Sequence, residues 1–184
     1  MRFLYFISKL LTLPGAYLKG FWEHVVCKIL RIPVENTKYF QMNESCGHVE
    51  HFFAQTKPRI FLICWLPGVL NGLFGTAMLL TGTLNLFYLG VTPTDIFSDG
   101  KLPFYVLYII FLYLGLSIYC NLFPLVEDAL YMWHKLYQEK GVHILVRILL
   151  FIPSIIIVAG AYLERYGLTV LLAIGGSVAG FLLK

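Results

Sequence analysis

Residues 60–80 and 102–126 contain no Asp, Glu, Lys or Arg. Each stretch is about as long as the ~20 apolar residues that a helix needs to cross the hydrocarbon layer. Only a helix or a closed barrel satisfies its own backbone there, so both stretches are expected to be spanning helices. The first contains Pro67, Gly68, Asn71, Gly72 and Gly75. Pro67 predicts a kink, and Gly68-x-x-x-Gly72 predicts a face that another helix approaches closely. Asn71 needs a partner in such surroundings, either a second helix or the backbone freed by Pro67. Residues 142–163 and 168–183 read as a further pair of spans around Glu164-Arg165-Tyr166-Gly167, with Gly176-x-x-x-Gly180 as a second close-packing face.

The totals agree with this reading. Only 13% of the 184 residues are charged, against about 25% in soluble domains. A chain this short exposes too much surface to hide the difference in a larger core. The expected fold is therefore an all-α polytopic membrane protein, one domain over 1–184, with about four transmembrane helices. Residues 1–32 form interfacial or re-entrant helices, since the apolar run 3–18 is short, is interrupted by Lys9 and meets Pro14-Gly15. A helix over about 16–30 should stop before Pro33. Residues 33–59 are polar, and alternation in 34–40 and 47–53 predicts a small β-hairpin against the membrane surface. Residues 60–126 make the first transmembrane pair and 127–141 a cytoplasmic edge helix, with Tyr131, Trp133 and Tyr137 suited to the headgroup level. Residues 142–184 make the C-terminal hairpin.

Orientation follows from the basic residues. With this topology, all of the 14 Lys and Arg except Lys101 and Arg165 fall on one side. That side is the cytoplasm, and the N-terminus faces it. The four cysteines, Cys27, Cys46, Cys64 and Cys120, lack paired spacing, which argues against a disulfide framework. No dense basic run with interleaved aromatics proposes nucleic acid as a partner. The N-terminus resembles a signal peptide in its apolar character, but has no small-x-small cleavage site and is read as part of the mature protein.

Reactive side chains gather in Gly20-Phe-Trp-Glu23-His24-Val-Val-Cys27-Lys28. On a helix Glu23 and Cys27 stand four apart and His24 and Cys27 three apart, so all three lean toward one face. That is the spacing of a helical metal site, although a solvated helix face at the membrane edge is an equal reading. His48 and His51 are read as an exposed strand face, with a ligand pair as the alternative.

Several further motifs follow in order. Leu13-Pro14-Gly15 leads into the cluster, followed by Ile32-Pro33-Val34, Tyr39-Phe40 and Gly47-His48-Val49-Glu50-His51. Then come Leu66-Pro67-Gly68-Val69-Leu70-Asn71, Leu114-Gly115-Leu116-Ser117-Ile118 and Phe123-Pro124-x-x-x-Asp128-Ala129. In this order the chain resembles the small prokaryotic membrane metalloproteases related to site-2 proteases, across about residues 10–135. The resemblance implies a zinc site and a prokaryotic plasma membrane. The family's zinc motif is H-E-x-x-H, two histidine ligands with a glutamate that activates water. Here it becomes E-H-x-x-C. The resemblance then implies Glu23, Cys27 and Asp128 as zinc ligands and His24 in the position of the base. The reshuffled motif favours a degenerate or repurposed site over peptidase action.

Three function classes remain open from sequence. The first is this hydrolase-like protein, active or decayed. The second is a non-catalytic protein of the lipid bilayer that acts on a partner through its cytoplasmic surface or through helix faces, with Gly68/Gly72 or Gly176/Gly180 meeting another membrane protein or a second copy. The third, a small transporter or channel, is disfavoured because Arg147 is nearly the only ionisable residue within the spans.

Overall fold

The structure is a computed structural model that describes residues 2–36, 48–54, 56–88, 102–172 and 175. Its described part is mostly helical, with one small antiparallel two-stranded hairpin. Helix α1 (Arg2–Leu11) gives way at Thr12 to α2 (Leu13–Leu30). Pro14 occupies the first turn of α2, where its missing N–H costs nothing. It therefore starts the second helix rather than ending the first. Helix α2 closes on Arg31, whose left-handed backbone (φ 56°) lets the Ile32 N–H reach the Cys27 carbonyl at 2.8 Å. Pro33 prevents any continuation, as expected.

Strand β1 (Val34–Asn36) pairs antiparallel with β2 (Glu50–His51), Val34 opposite His51 and Asn36 opposite Glu50. The expected hairpin is present; residues 37–47, which include part of both expected strands, lie outside the described residues, and within 48–53 only Glu50–His51 is strand. Its turn, with Cys46 and Gly47, lies outside the described residues. The long helix α3 (Lys57–Thr83) runs unbroken through Pro67 and ends in a π-helical turn, Leu84–Tyr88. Helix α4 (Leu102–Tyr119) stops earlier than the uncharged run 102–126 implied. Beyond Tyr119 the Asn121 amide bonds the Ser117 carbonyl at 2.8 Å, and Pro124 follows. Helix α5 (Val126–Trp133), its π-helical extension His134–Gln138, and α6 (Ile144–Arg165) complete the described elements.

Two helices among these are long and apolar enough to cross a membrane, residues 57–86 and 144–165, with 104–119 a shorter apolar helix. Of the expected span 168–183, only 168–172 and 175 are described, and Gly176 and Gly180 lie outside.

Helices α3 and α4 are antiparallel neighbours. Gly82 meets Leu112, Gly115 meets Leu79, Gly75 meets Tyr119 and Gly68 meets Leu122. A methyl group at Gly68 would stand 2.3 Å from the Leu122 carbonyl oxygen, so this glycine admits the chain's own backbone. Asn71 has no solvent exposure and donates to the Asn121 carbonyl at 2.7 Å, tying α3 to the end of α4. Among the described residues its Oδ1 has no partner.

The apolar core lies toward the start of α3. Val26 and Cys27 of α2, Ile60, Ile63 and Cys64 of α3, Ala129 and Met132 of α5, and Ile157 and Ala161 of α6 close it. The opposite face of α6 is uncovered. Ile148, Leu149 and Ile152 are each about two-thirds or more exposed, and Ile144, Ile155 and Ile156 extend the stripe. An apolar surface of this extent suits lipid or a partner rather than water.

Candidate functional site

Four charged groups and one imidazole are buried together where α1, α2 and the approach to β2 meet the ends of α4 and α6. Lys9 of α1 donates to Asn121 Oδ1 at 2.6 Å and to Glu164 Oε1 at 2.5 Å. Lys19 of α2 lies 3.4 Å from the same Glu164 oxygen, 3.5 Å from His48 Nε2 and 4.0 Å from Glu23 Oε1. Glu23 accepts from His48 Nδ1 at 3.0 Å and from the Val49 N–H at 2.9 Å. Glu164 accepts the Phe123 N–H through its other oxygen at 2.9 Å. The assembly is a continuous chain: carboxylate, imidazole, ammonium, carboxylate, ammonium, amide.

Local structure explains how each group arrives. Lys19 and Glu23 are one helical turn apart on α2, and Glu164 stands in the last turn of α6. Gly15 lets α2 press against α4, since a Cβ there would be 2.1 Å from the Ser117 carbonyl oxygen. The Gly15 N–H donates to Ser117 Oγ at 2.9 Å. Asn121 closes the far end by donating to Thr12 Oγ1 at 2.9 Å and to the Thr12 carbonyl at 3.2 Å. Gly160 receives the Phe123 ring, which allows α6 to approach the segment carrying the Phe123 amide.

The charges balance: two ammonium groups face two carboxylates. Burial lowers the pKa of Lys19, opposed by Glu164 and Glu23. Burial and Lys19 also hold His48 below its ordinary value, so its ring is neutral. A carboxylate only accepts and an ammonium only donates, which fixes the tautomer: Nδ1–H points to Glu23 and the Nε2 lone pair to Lys19. Burial alone would raise Glu23, but His48, Lys19 and the Val49 N–H outweigh it and hold the carboxyl below its ordinary value.

A second histidine–carboxylate pair sits beside this one. His51 Nε2 is 3.8 Å from Asp128 Oδ2 on α5. Burial lifts the Asp128 carboxyl from 3.8 to about 6, His51 opposes the rise, and Glu23 and Glu127 add to it. Cys27 has no solvent exposure. Burial pushes its thiol up to about 12, with Glu23 and Asp128 adding to the effect. The Cys64 thiol donates to the Asp128 main-chain carbonyl at 3.5 Å.

Glu23, Cys27 and Asp128 therefore lie within electrostatic reach of one another, and Glu23 and Cys27 point inward. In this arrangement they are not grouped as a metal site. Both Glu23 oxygens are engaged by His48 and Val49. Among the described residues no three His, Cys, Asp or Glu side chains are grouped to hold a metal ion. His24, in the position of the base, is half-buried. His48 corrects the expectation of an exposed strand face: it is 3% exposed and precedes β2 rather than belonging to it. Standing three residues from His51, it also falls off the two-residue repeat of a strand.

Sequence reasoning missed Lys9, Lys19, His48, Asn121 and Glu164 as members of one site. The available signal was the isolated charge in an apolar run, at Lys9 and again at Glu164. The architecture defines a mostly helical protein with two helices long enough to span a membrane and a buried ionic core. Comparison of the chain with known families, characterised proteins and solved structures finds no match.

Proposed function

We propose that this chain is an integral membrane protein built on a site-2-protease-like scaffold, in which the metal position has been repurposed as a fixed ionic core. The observation that carries this reading is the engagement of Glu23. The residue that stands at the first ligand position spends both carboxylate oxygens on His48 Nδ1 and the Val49 N–H. The imidazole and amide supply stabilisation that a metal would otherwise give that carboxylate. The protein then acts in the bilayer without peptidase chemistry, through its membrane-facing and cytoplasmic surfaces. The exposed apolar stripe of α6 supports the membrane setting.

In this reading four segments cross a prokaryotic plasma membrane, with the N-terminus and residues 127–141 in the cytoplasm. A cysteine placed at Lys101 should label from outside intact cells; labelling only from the cytoplasm would reverse the topology. Elemental analysis of the purified chain tests the core. Zinc should fall well below one ion per chain and be unaffected by Cys27→Ala. Stoichiometric zinc that Cys27→Ala removes would instead establish the ligand set Glu23, Cys27 and Asp128, with His24 as base.

A further inference from the structure

A second feature lies outside the ionic core, at the start of α3. A cavity of about 600 Å³ opens between the end of α2, the exit from β2 and the first turn of α3. Its lining includes Arg31, Ile32, Phe52, Phe53, Thr56 and Arg59, and none of its lining side chains is acidic. Both arginines are exposed, and among the described residues neither guanidinium has a carboxylate partner. The volume is in the range of small-molecule sites.

The walls of this cavity are fixed by backbone. Arg31 is the left-handed cap of α2, and the Phe52 N–H donates to the Pro33 carbonyl at 3.1 Å. The Phe53 ring packs on Tyr131 of α5 with centroids 4.5 Å apart. Phe52 and Phe53 are each more than half exposed, so an apolar wall continues outward from the two cations. Arg59 is the third residue of the apolar helix 57–86, which places the cavity at one end of a candidate span. Paired guanidinium groups match the oxygens of a phosphate through bidentate hydrogen bonds. Two arginines lining one cavity, with no carboxylate partner among the described residues, beside an apolar wall at the level where a span begins, fit a ligand that is anionic at one end and hydrocarbon at the other.

We propose that this cavity binds an anionic phospholipid, its phosphate between Arg31 and Arg59 and its acyl region along Phe52 and Phe53. The proposal takes its ligand source from the membrane reading above. A chain recovered in the soluble fraction would defeat that reading, whereas a membrane-integrated chain without lipid preference defeats only this one.

The test uses the full chain purified in a neutral detergent. Native mass spectrometry follows retained lipid after equilibration with equal amounts of phosphatidylglycerol and phosphatidylcholine. Wild type should retain phosphatidylglycerol about tenfold in preference, a ratio that salt reduces. Arg31→Gln with Arg59→Gln should bring the ratio near one. Inorganic phosphate should neither compete at millimolar concentration nor raise the unfolding temperature. Equal retention of the two lipids by wild type, which needs no variant, overturns the proposal. So does a double variant that keeps the preference, or inorganic phosphate that displaces the lipid and reproduces its stabilisation.

Discussion

The two histidine–carboxylate pairs are built from the same chemistry and reached from the same short stretch of chain, yet they behave oppositely. Glu23 meets His48 at 3.0 Å, takes the Val49 N–H and has Lys19 beside it, and its carboxyl is held below the ordinary value. Asp128 meets His51 only at 3.8 Å, with Glu127 and Glu23 as like-charged neighbours, and its carboxyl rises to about 6. Burial penalises both. The donors that replace water decide the sign. Glu23 stays ionised because two hydrogen-bond donors and a nearby ammonium face it. Among the described residues Asp128 has no hydrogen-bonding imidazole, only His51 at 3.8 Å, against two like-charged neighbours. The first pair is therefore a structural anchor and the second a titrating group near neutrality.

The largest effect should come from disarming the anchor. Glu23→Gln leaves Lys19 without one of its two carboxylates, and should cost about 3–5 kcal/mol, as does removing one member of a buried pair. Thermal or denaturant unfolding in micelles measures it. Glu164→Gln, which strips Lys9 and Lys19 together, should cost at least as much. A loss below about 1 kcal/mol in both would mean that water reaches the ionic core.

The pH dependence comes next. The folded-state value of Asp128 lies above the ordinary 3.8, so the folded chain binds its proton more tightly than the unfolded chain. Its stabilising contribution is complete below about pH 4 and is lost as pH rises through about 6. The size is about 1–3 kcal/mol. Asp128→Asn should remove this slope from the stability profile, whereas Glu23→Gln, which removes one like-charged neighbour, should only reduce it. A profile that keeps the slope in Asp128→Asn would assign it to another group.

At pH 7.5 Asp128→Asn should itself be neutral or stabilising by about 1 kcal/mol, since relief of a penalised charge offsets the lost attraction to His51. A loss comparable to that of Glu23→Gln would erase the contrast between the two pairs. The smallest effect is expected from His51→Asn. His51 opposes the rise at Asp128, so its removal should move the titration midpoint upward, by less than about one pH unit. A downward shift would show that His51 does not oppose the rise at Asp128.

Much of this architecture was legible from local chemistry. Pro33 marked the end of α2, the uncharged runs marked α3 and α4, and Asn71 announced a buried partner that proved to be the Asn121 carbonyl. The spacing of Glu23 and Cys27 placed both on the inward face. Alternation around 34–53 identified a hairpin, but within 48–53 only Glu50–His51 pairs, because a weak alternating pattern does not say how many residues will find a partner across the turn. The uncharged run 102–126 also overstated α4, since hydropathy does not register an amide that turns back on its own helix, as Asn121 does.

The ionic core was not legible. The amino-acid order by itself determined which segments are apolar, where prolines and glycines start or stop them, and which helical faces carry reactive groups. These are properties of neighbours within one turn or one strand repeat. Only the tertiary structure decided that Lys9 would meet Glu164, 155 positions away, and that His48 would turn inward to Glu23. A charge in an apolar segment announces that it needs a counter-charge but not which one. The choice is made when helices close to within hydrogen-bond distance, and that closing depends on contacts such as Gly15 on Ser117 and Gly160 on Phe123. The difference between Glu23 and Asp128 is decided the same way: the sequence supplies two carboxylates, and packing gives one two hydrogen-bond donors and an adjacent ammonium, and the other a histidine at 3.8 Å.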